Sequence, residues 1–307
     1  MSAAASSSSS LEITILQGAP GSGKSTYAAV SRLRSDVVVC NTDEFFTVGD
    51  VYDFNGAMLS EAHVWNQARA YESLTDRRSV IVDNTNIFRW NAIPYVRMGI
   101  ELNALVRFHR CIGEFENTHG VKQGVDENDK GAVKWQRKEM EPLTVASVLT
   151  ESEPDFVVEA NKIGPTVANL LTAKLMMVKA GYPFASGEMP KPVWPDHSVP
   201  FVCNGFVHHI SAGKRYVCYL PGQGIHAHTH DKCEIFHVTT GEATLVTRST
   251  SVITNKEEEY HKVCGAGSTM SASVGTIHYV KASVQGCCFY EEKDVSKSRK
   301  TVFILNF

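Results

Sequence analysis

The chain has no net positive charge with which to attract a polyanion. Its 30 Lys and Arg face 33 Asp and Glu, leaving a formal charge of -3 and a pI near 6.5. A nucleic-acid contact would therefore need a local basic groove. None of the eight cysteines forms a C-x-x-C pair. A chain this long does not need disulfide staples, so free thiols in a reducing, cytoplasmic compartment are expected. No apolar run reaches the roughly 18 residues of a membrane-spanning helix. The first ten residues carry no basic residue and no apolar segment. That argues against a signal peptide and for a disordered tail over 1–10. No internal repeat relates the two halves.

What is present is ordinary globular composition, 43% hydrophobic and 21% charged, over 307 residues. At roughly 150 residues per domain, that length suggests two. From 11 to 110 the pattern alternates. Strands are expected at 11–17, 36–40, 79–83 and 101–109, and helices at Lys24 to about Arg34, 57–78 and 88–99. This is the rhythm of a parallel sheet with helices on both faces. Residues 112–142 are polar and glycine-punctuated and read as a helical lid; 156–158 read as a short strand and 160–179 as one helix. Pro183, Pro190, Pro192, Pro195 and Pro200 crowd a segment taken as a linker at 182–199. From 201 on, short strands are expected at 214–219, 233–239, 242–247, 250–253, 276–282, 285–290 and 300–306, a small sandwich or barrel. The expected domains are thus 11–181 and 200–307.

Gly18-Ala19-Pro20-Gly21-Ser22-Gly23-Lys24-Ser25, followed by Thr26, is a complete G-x-x-x-x-G-K-S loop between an apolar strand and a helix. Its glycines let backbone N–H groups converge on phosphates, and the helix start adds partial positive charge. Lys24 can reach the β- and γ-phosphates of ATP, and Ser25 can offer its hydroxyl to Mg²⁺. Asp83, closing the strand Val80–Val82, suits a Mg²⁺-directing carboxylate. Asp43, after the second strand, faces the crevice at the carboxyl edge of the sheet. It could accept a proton from a substrate hydroxyl, a role for which Glu44 competes; the alternative is a helix N-cap.

Over about residues 12–145 the chain resembles the P-loop kinases of the polynucleotide 5′-kinase type. The likeness rests on the loop just given, on Thr42-Asp43-Glu44-Phe45-Phe46, on Val82-Asp83-Asn84-Thr85-Asn86 and on Asn117-Thr118-His119-Gly120-Val121. The resemblance implies that Asp43 is the general base, that Arg137 clamps the transferring phosphoryl, and that the acceptor is the 5′-hydroxyl of RNA or DNA. Two positions depart from the family. Phe46 and Glu116 stand where members carry arginines, which keeps a small hydroxylated metabolite open as acceptor. Arg89, Arg107, Arg110, Lys134 and Lys138 read as solvated surface residues.

The second half contains Gly222-x5-His228-x-His230-x3-Glu234-x6-Gly241. His228 and His230 share one face of a strand, and Glu234 can reach it. With His278 from a later strand, the set suits a divalent transition metal. His226 has the same parity and stands in reserve. Cys233, adjoining Glu234, falls on the opposite face. Over about 205–295 this segment resembles the cupins, with a second motif Gly267-x5-Ser273-x-Gly275-x2-His278 in which Ser273 and Ala282 replace the usual proline and asparagine. The resemblance implies a small β-barrel holding Mn, Fe, Ni, Zn or Co through His228, His230, Glu234 and His278, and pairing of two copies through the cupin sheets. Three functions follow: a kinase fused to a metal-dependent cupin enzyme, a kinase whose cupin binds substrate or aids assembly, and a nucleotide-dependent scaffold without an acceptor.

Overall fold

The computed structural model describes residues 10–48, 51–113, 128–193, 205–209, 214–225, 227–230, 233–250, 257–292 and 301–303. The proposed tail up to residue 9, the lid stretch Asn117–Val121 with Glu116, and His226 lie outside them. The chain divides into two compact units, Met1–Ala160 and Asn161–Phe307.

The first unit is built on a four-stranded sheet. Its strands are β1 (Glu12–Gln17), β2 (Val37–Cys40), β5 (Ser79–Val82) and β6 (Leu105–Arg110), in the order β2-β5-β1-β6 and all parallel. A two-stranded hairpin, β3 (Thr47–Val48) with β4 (Val51–Tyr52), stands apart. Every residue of β2 and β5 is buried, as a strand covered on both faces requires. One face packs Ile13, Ile15, Val38, Val80 and Val82 against Ile93, Tyr95 and Val96 of helix α3 (Arg89–Glu101). The other sets Leu16, Val37, Val39 and Ile81 against Ala28 of helix α1 (Lys24–Ser31). Helix α2 spans Leu59–Thr75. The order places β1 inside the sheet, so the glycine loop leaves from its centre.

Two local expectations fail here. Residues 156–158 are helical, within Asp155–Ile163, where the N–H groups of Val157 and Val158 both bond to the Pro154 carbonyl. The helix expected over 160–179 is two helices, because Pro165 cannot continue the first. Thr166 then caps the second, Val167–Lys179, by accepting from the Asn169 N–H.

That second helix belongs to the C-terminal unit rather than the N-terminal one. It buries Leu170, Ala173 and Met177, and the Met176 sulfur lies 3.9 Å from the Cys218 thiol on β9 (Lys214–Tyr219). The proline-dense segment joins the same unit. Tyr182 donates to or accepts from Thr239 Oγ1 at 2.7 Å and lies against Tyr216, and Phe184 stacks on His208 at 4.0 Å. β7 (Lys191–Val193) pairs with β8 (Gly205–His209) and places Pro192 at the end of the sheet. Proline is excluded from central strands but not from edges.

The remaining strands are β10 (His228–His230), β11 (Glu234–Thr250), β12 (Glu257–Gly265), β13 (Thr269–Ala272), β14 (Ile277–Glu292) and β15 (Thr301–Phe303). All pair antiparallel in an all-β architecture. The runs 233–239 and 242–247 prove to be one strand, β11, and 276–282 and 285–290 are one strand, β14. β11 pairs with β14 along most of its length, but each changes its other neighbour part-way. β11 passes from β13 to β12, and β14 from β10 to β9. The register shifts between Val238 and Thr240 and between Gly241 and Ala243. The glycines that look like breaks in sequence are therefore irregularities within continuous strands. Gly241 has φ +73°, and a Cβ there would fall 2.1 Å from the Gly286 carbonyl oxygen. Gly241→Ala should lower unfolding stability by about 2 kcal/mol or more, from strain plus overlap with backbone. Denaturant titration checks this, and an unchanged midpoint would refute the reading of this irregularity.

Candidate phosphate-binding site and candidate metal centre

The glycine loop joins the carboxyl end of β1 to α1. Gly18 is required by proximity: a Cβ would lie 2.2 Å from Ser22 Oγ and 2.8 Å from the Cys111 carbonyl oxygen. Gly21 and Gly23 have φ of +75° and +94°, a left-handed conformation that glycine adopts without strain. The Gly23 residue is also the N-cap of α1, so the loop's amides run into the helix start. Ser22 is buried, and its hydroxyl has no hydrogen-bond partner among the described residues. Ser25 and Thr26 are exposed at the first turn.

Lys24 is buried, and its ammonium donates to the carbonyls of Gly18 at 2.8 Å and Ala19 at 3.1 Å. Burial lowers its pKa, while the neighbouring Asp83, Cys111 and Asp43 oppose that shift. The ammonium thus sits in the field of both acidic residues singled out by sequence. Asp83 is buried at the end of β5. Its Oδ2 accepts from the Asn41 amide at 3.3 Å, and its Oδ1 has no partner among the described residues. A buried carboxylate oxygen and a buried hydroxyl beside an ammonium suit a polyanion with its cation.

Asp43 lies on a short 3₁₀ turn, Thr42–Phe46, and is exposed; its N–H donates to Asn41 Oδ1 at 2.7 Å. The N-cap of that turn is Asn41, not Asp43. Glu44, the competitor, is engaged by Arg69 Nη1 at 2.7 Å and Arg32 Nη2 at 2.8 Å. Phe46 is buried, its ring 4.9 Å from Phe54 and 5.2 Å from Phe45. It offers nothing to an anion. Arg137 is exposed in the last turn of the helix Asn128–Glu139. Arg89 bonds to the Pro142 carbonyl and lies 3.5 Å from Glu151, while Arg107 pairs with Glu12 at 2.7 Å.

A supporting network went unread in the sequence. The buried Gln17 donates to the carbonyls of Asn86 at 3.1 Å and Glu141 at 2.7 Å, and Asn86 donates to the Leu16 carbonyl at 2.7 Å. The Gly18 N–H bonds to the Thr85 carbonyl, and Asn84 Oδ1 accepts from the Thr42 N–H. The Asn84–Asn86 stretch therefore fastens the loop after β1 to the turn carrying Asp43. Asn86 has φ +43°, and asparagine is among the few side chains that accept it. Polar residues flanking a glycine loop were the available signal.

In the second unit, His228, His230, Glu234 and His278 come together, all buried, with one ligand atom from each lying within 4.8 Å of the others. β10 supplies the first two and β11 begins at Glu234; His278 lies directly across from His228 in the β10–β14 register. The Gly275 N–H bonds to the His230 carbonyl, so the 273–276 turn ties the two motifs together. Ser273 in place of proline does not prevent that turn: the Thr276 N–H bonds to the Ser273 carbonyl.

The donor set fits a cation. His278 Nδ1 is 2.9 Å from the Thr276 carbonyl, which can only accept, so Nδ1 carries the proton. In the neutral ring Nε2 then presents a lone pair, yet it sits 3.0 Å from Glu234 Oε2. His230 Nε2 is likewise 3.0 Å from Glu234 Oε1. The His278 lone pair facing a buried carboxylate calls for a metal ion or for an imidazolium proton, and a metal meets all four groups at once. Cys233 is exposed and outside the cluster.

Residues 13–140 match the AAA domain family. The human NEDD4-binding protein 2 is 40% identical over 90 residues, which is 29% of this chain and 5% of that protein. The chain thus spans only a small fraction of the curated relative's length. Among solved structures, a deletion mutant of Bacillus subtilis oxalate decarboxylase is similar at 16% identity and a TM-score of 0.27, over 33% of this chain and 28% of that one. An oxalate oxidase is similar at 19% identity and a TM-score of 0.25, over 34% and 48%. Likenesses this low assign no activity. The N-terminal unit is a P-loop nucleotide-binding domain, and the C-terminal unit carries a His-Glu cluster fit for a metal. Among the described residues no helix is long and apolar enough to cross a membrane.

Proposed function

We propose that the N-terminal unit is an ATP-dependent kinase that transfers the γ-phosphoryl group to a hydroxyl. One observation carries the reading: an exposed carboxylate, Asp43, stands in the electrostatic reach of Lys24 at the carboxyl edge of the sheet, while its neighbour Glu44 is held by two arginines. A nucleotide-dependent scaffold needs the loop but not that carboxylate. Gly18, Gly21, Ser22 and Gly23 cradle the phosphates, Lys24 exchanges its loop carbonyls for phosphate oxygens, and Asp43 takes the proton as the acceptor oxygen attacks and ADP leaves. Ser25 and Asp83 would hold Mg²⁺, which when bound neutralises charge on the β- and γ-phosphates. Arg137 is the candidate clamp on the transferring phosphoryl.

For the acceptor we favour a polynucleotide 5′-hydroxyl, on the motif stretch Thr42–Phe46 and the 82–86 segment. A small hydroxylated metabolite is the second reading, favoured by the buried Phe46, which cannot hold a 3′-phosphate. Labelled ATP offered with 5′-hydroxyl RNA, DNA, nucleosides and sugars decides between them. Label on a metabolite and on no oligonucleotide would overturn the first reading, and ATP hydrolysis with no labelled acceptor would support a scaffold.

Asp43→Asn should lower the chemical step by about 10²–10⁴-fold, the usual contribution of a general base, with ATP affinity nearly unchanged. Single-turnover kinetics at saturating ATP separate the two. Glu44→Gln should cost far less in rate and more in stability. If the two variants exchanged effects, Glu44 would be the base.

His228, His230, Glu234 and His278 would hold a divalent transition metal, which when bound supplies a Lewis acid with room for further ligands. Whether this unit turns over a substrate or binds one is tested by assaying it under metal loading and depletion alongside the kinase.

A further inference from the structure

Sulfur gathers on the other face of the sheet that carries the histidine–glutamate cluster. Cys218 of β9 and Cys288 of β14 stand directly opposite each other in the strand register, and both are fully buried. Their neighbours Val217, Cys287 and Phe289 point into the apolar core on the far face. Alternation therefore turns the two thiols toward the helix Val167–Lys179. That helix supplies a third sulfur: Cys218 Sγ lies 3.9 Å from Met176 Sδ. Gly286 leaves room for it, since a Cβ there would fall 2.7 Å from the Met176 methyl carbon. The Cys288 thiol is the largest influence on Cys218 and, with burial, pushes its pKa up, while Cys218 pulls that of Cys288 down. Cys288 is thus the first of the pair to give up its proton.

The donor types decide what such a pocket takes. Thiolates and thioethers are soft donors and favour Cu(I), whereas imidazole and carboxylate suit harder divalent ions. No histidine or carboxylate is grouped with the two thiols among the described residues, so the third donor is the thioether. Protein sites for Zn(II) are completed by imidazole, carboxylate or further thiolates instead. Geometry agrees with the chemistry. A metal–sulfur bond is about 2.3 Å, so three sulfurs in a plane around one ion stand about 4 Å apart. The Cys218–Met176 separation already has that value. The unbranched Met176 side chain, with three rotatable bonds, can close the triangle on Cys288.

We propose that Cys218, Cys288 and Met176 form a buried Cu(I) site, separate from the histidine–glutamate cluster. Binding breaks the two S–H bonds and forms two copper–thiolate bonds and one dative thioether bond. Both protons leave to solvent, and no electron is transferred, so the ion enters and remains as Cu(I). Met176 is half-buried while both thiols are covered, which places the way in past the thioether.

The test is anaerobic titration of the full chain with Cu(I) in competition with a chromogenic Cu(I) chelator. Cys233→Ser serves as the parent, because it lacks the exposed thiol. The parent is expected to take one Cu(I) per chain. Cys218→Ala and Cys288→Ala should each weaken that uptake at least 100-fold, since losing a contact that only supports a ligand already costs about 10–100-fold. Met176→Leu conserves volume and keeps the fold, and should weaken uptake at least ten-fold. His278→Ala should leave it unchanged. X-ray absorption at the copper edge should show sulfur neighbours alone. A parent that loses all its copper to the chelator would overturn the proposal. So would nitrogen in the copper shell, which would place the ion at the histidines. Uptake by Met176→Leu or by both alanine variants equal to that of the parent would do the same, by placing the ion on other cysteines.

Discussion

Lys24→Ala is expected to abolish measurable phosphoryl transfer, a loss of at least 10²–10³-fold on the scale of removing one preorganised donor from a charge-stabilising site. The resting geometry sets this expectation. The ammonium is buried, in the field of two acidic side chains, and holds its own loop closed through the Gly18 and Ala19 carbonyls. Those carbonyls are replaceable partners, whereas the charge that would meet the γ-phosphate is not. The same burial makes Lys24 costly to keep ionised, so its removal should leave thermal stability without nucleotide near that of the wild type. The loss should appear in both nucleotide affinity and turnover, since the charge meets the nucleotide before and during transfer. Lys24→Arg retains charge but not the compact shape of an ammonium, and should recover little. Calorimetric titration with a non-hydrolysable ATP analogue, alongside turnover, provides the check. Normal turnover in Lys24→Ala would remove the loop from the mechanism.

The second large effect concerns the metal centre. Full-length protein prepared under metal-replete conditions is expected to carry about one equivalent of a divalent transition metal per chain, on the usual affinity of three imidazoles and a carboxylate. His230→Ala or His278→Ala should lower that occupancy below a tenth. Either change removes one of three imidazoles and leaves the buried Glu234 carboxylate without one of its two 3.0 Å neighbours. Cys233→Ser, on an exposed side chain outside the cluster, should leave occupancy unchanged. Chelation should lower the melting temperature of the wild type, because an ion bound only by the folded state adds about 2.7 kcal/mol at a free concentration one hundred times its Kd. It should leave that of His278→Ala unmoved. Elemental analysis and calorimetry read both. A metal-free wild type whose melting is indifferent to added metal would mean that the cluster is held by imidazolium protons instead.

Kinase activity and metal occupancy are independent tests, since each unit is compact by itself. A Lys24→Ala protein that still binds metal, and a His230→Ala protein that still transfers phosphate, would establish two separate sites on one chain.

The sequence by itself determined the local chemistry, because each motif is contiguous and its spacing is set by backbone geometry. Gly18 to Ser25 reads as a phosphate loop since one strand, one turn and one helix start are enough to build it. His228 and His230 share a face because strand periodicity requires it. Even His278, forty-four residues from Glu234 in sequence, was legible as a partner through its own glycine-spaced motif. Tertiary structure alone decided what depends on neighbours distant in sequence. Glu44 and Asp43 are equivalent carboxylates in sequence, and it is Arg69 from α2 and Arg32 beyond α1 that engage the first. Gln17, Asn86 and Glu141 look like ordinary polar residues until the fold brings their backbone partners together. Gly241 looks like a break between two strands and Gly286 like an ordinary strand residue, yet each is a point where one backbone passes too close to another for a side chain. The helix Val167–Lys179 carries an apolar stripe that would suit either unit, and only the fit of Leu170, Ala173 and Met177 assigns it to the second. Apolar periodicity shows that a face must be buried. Which surface buries it depends on shape, and shape exists only after the strands have paired.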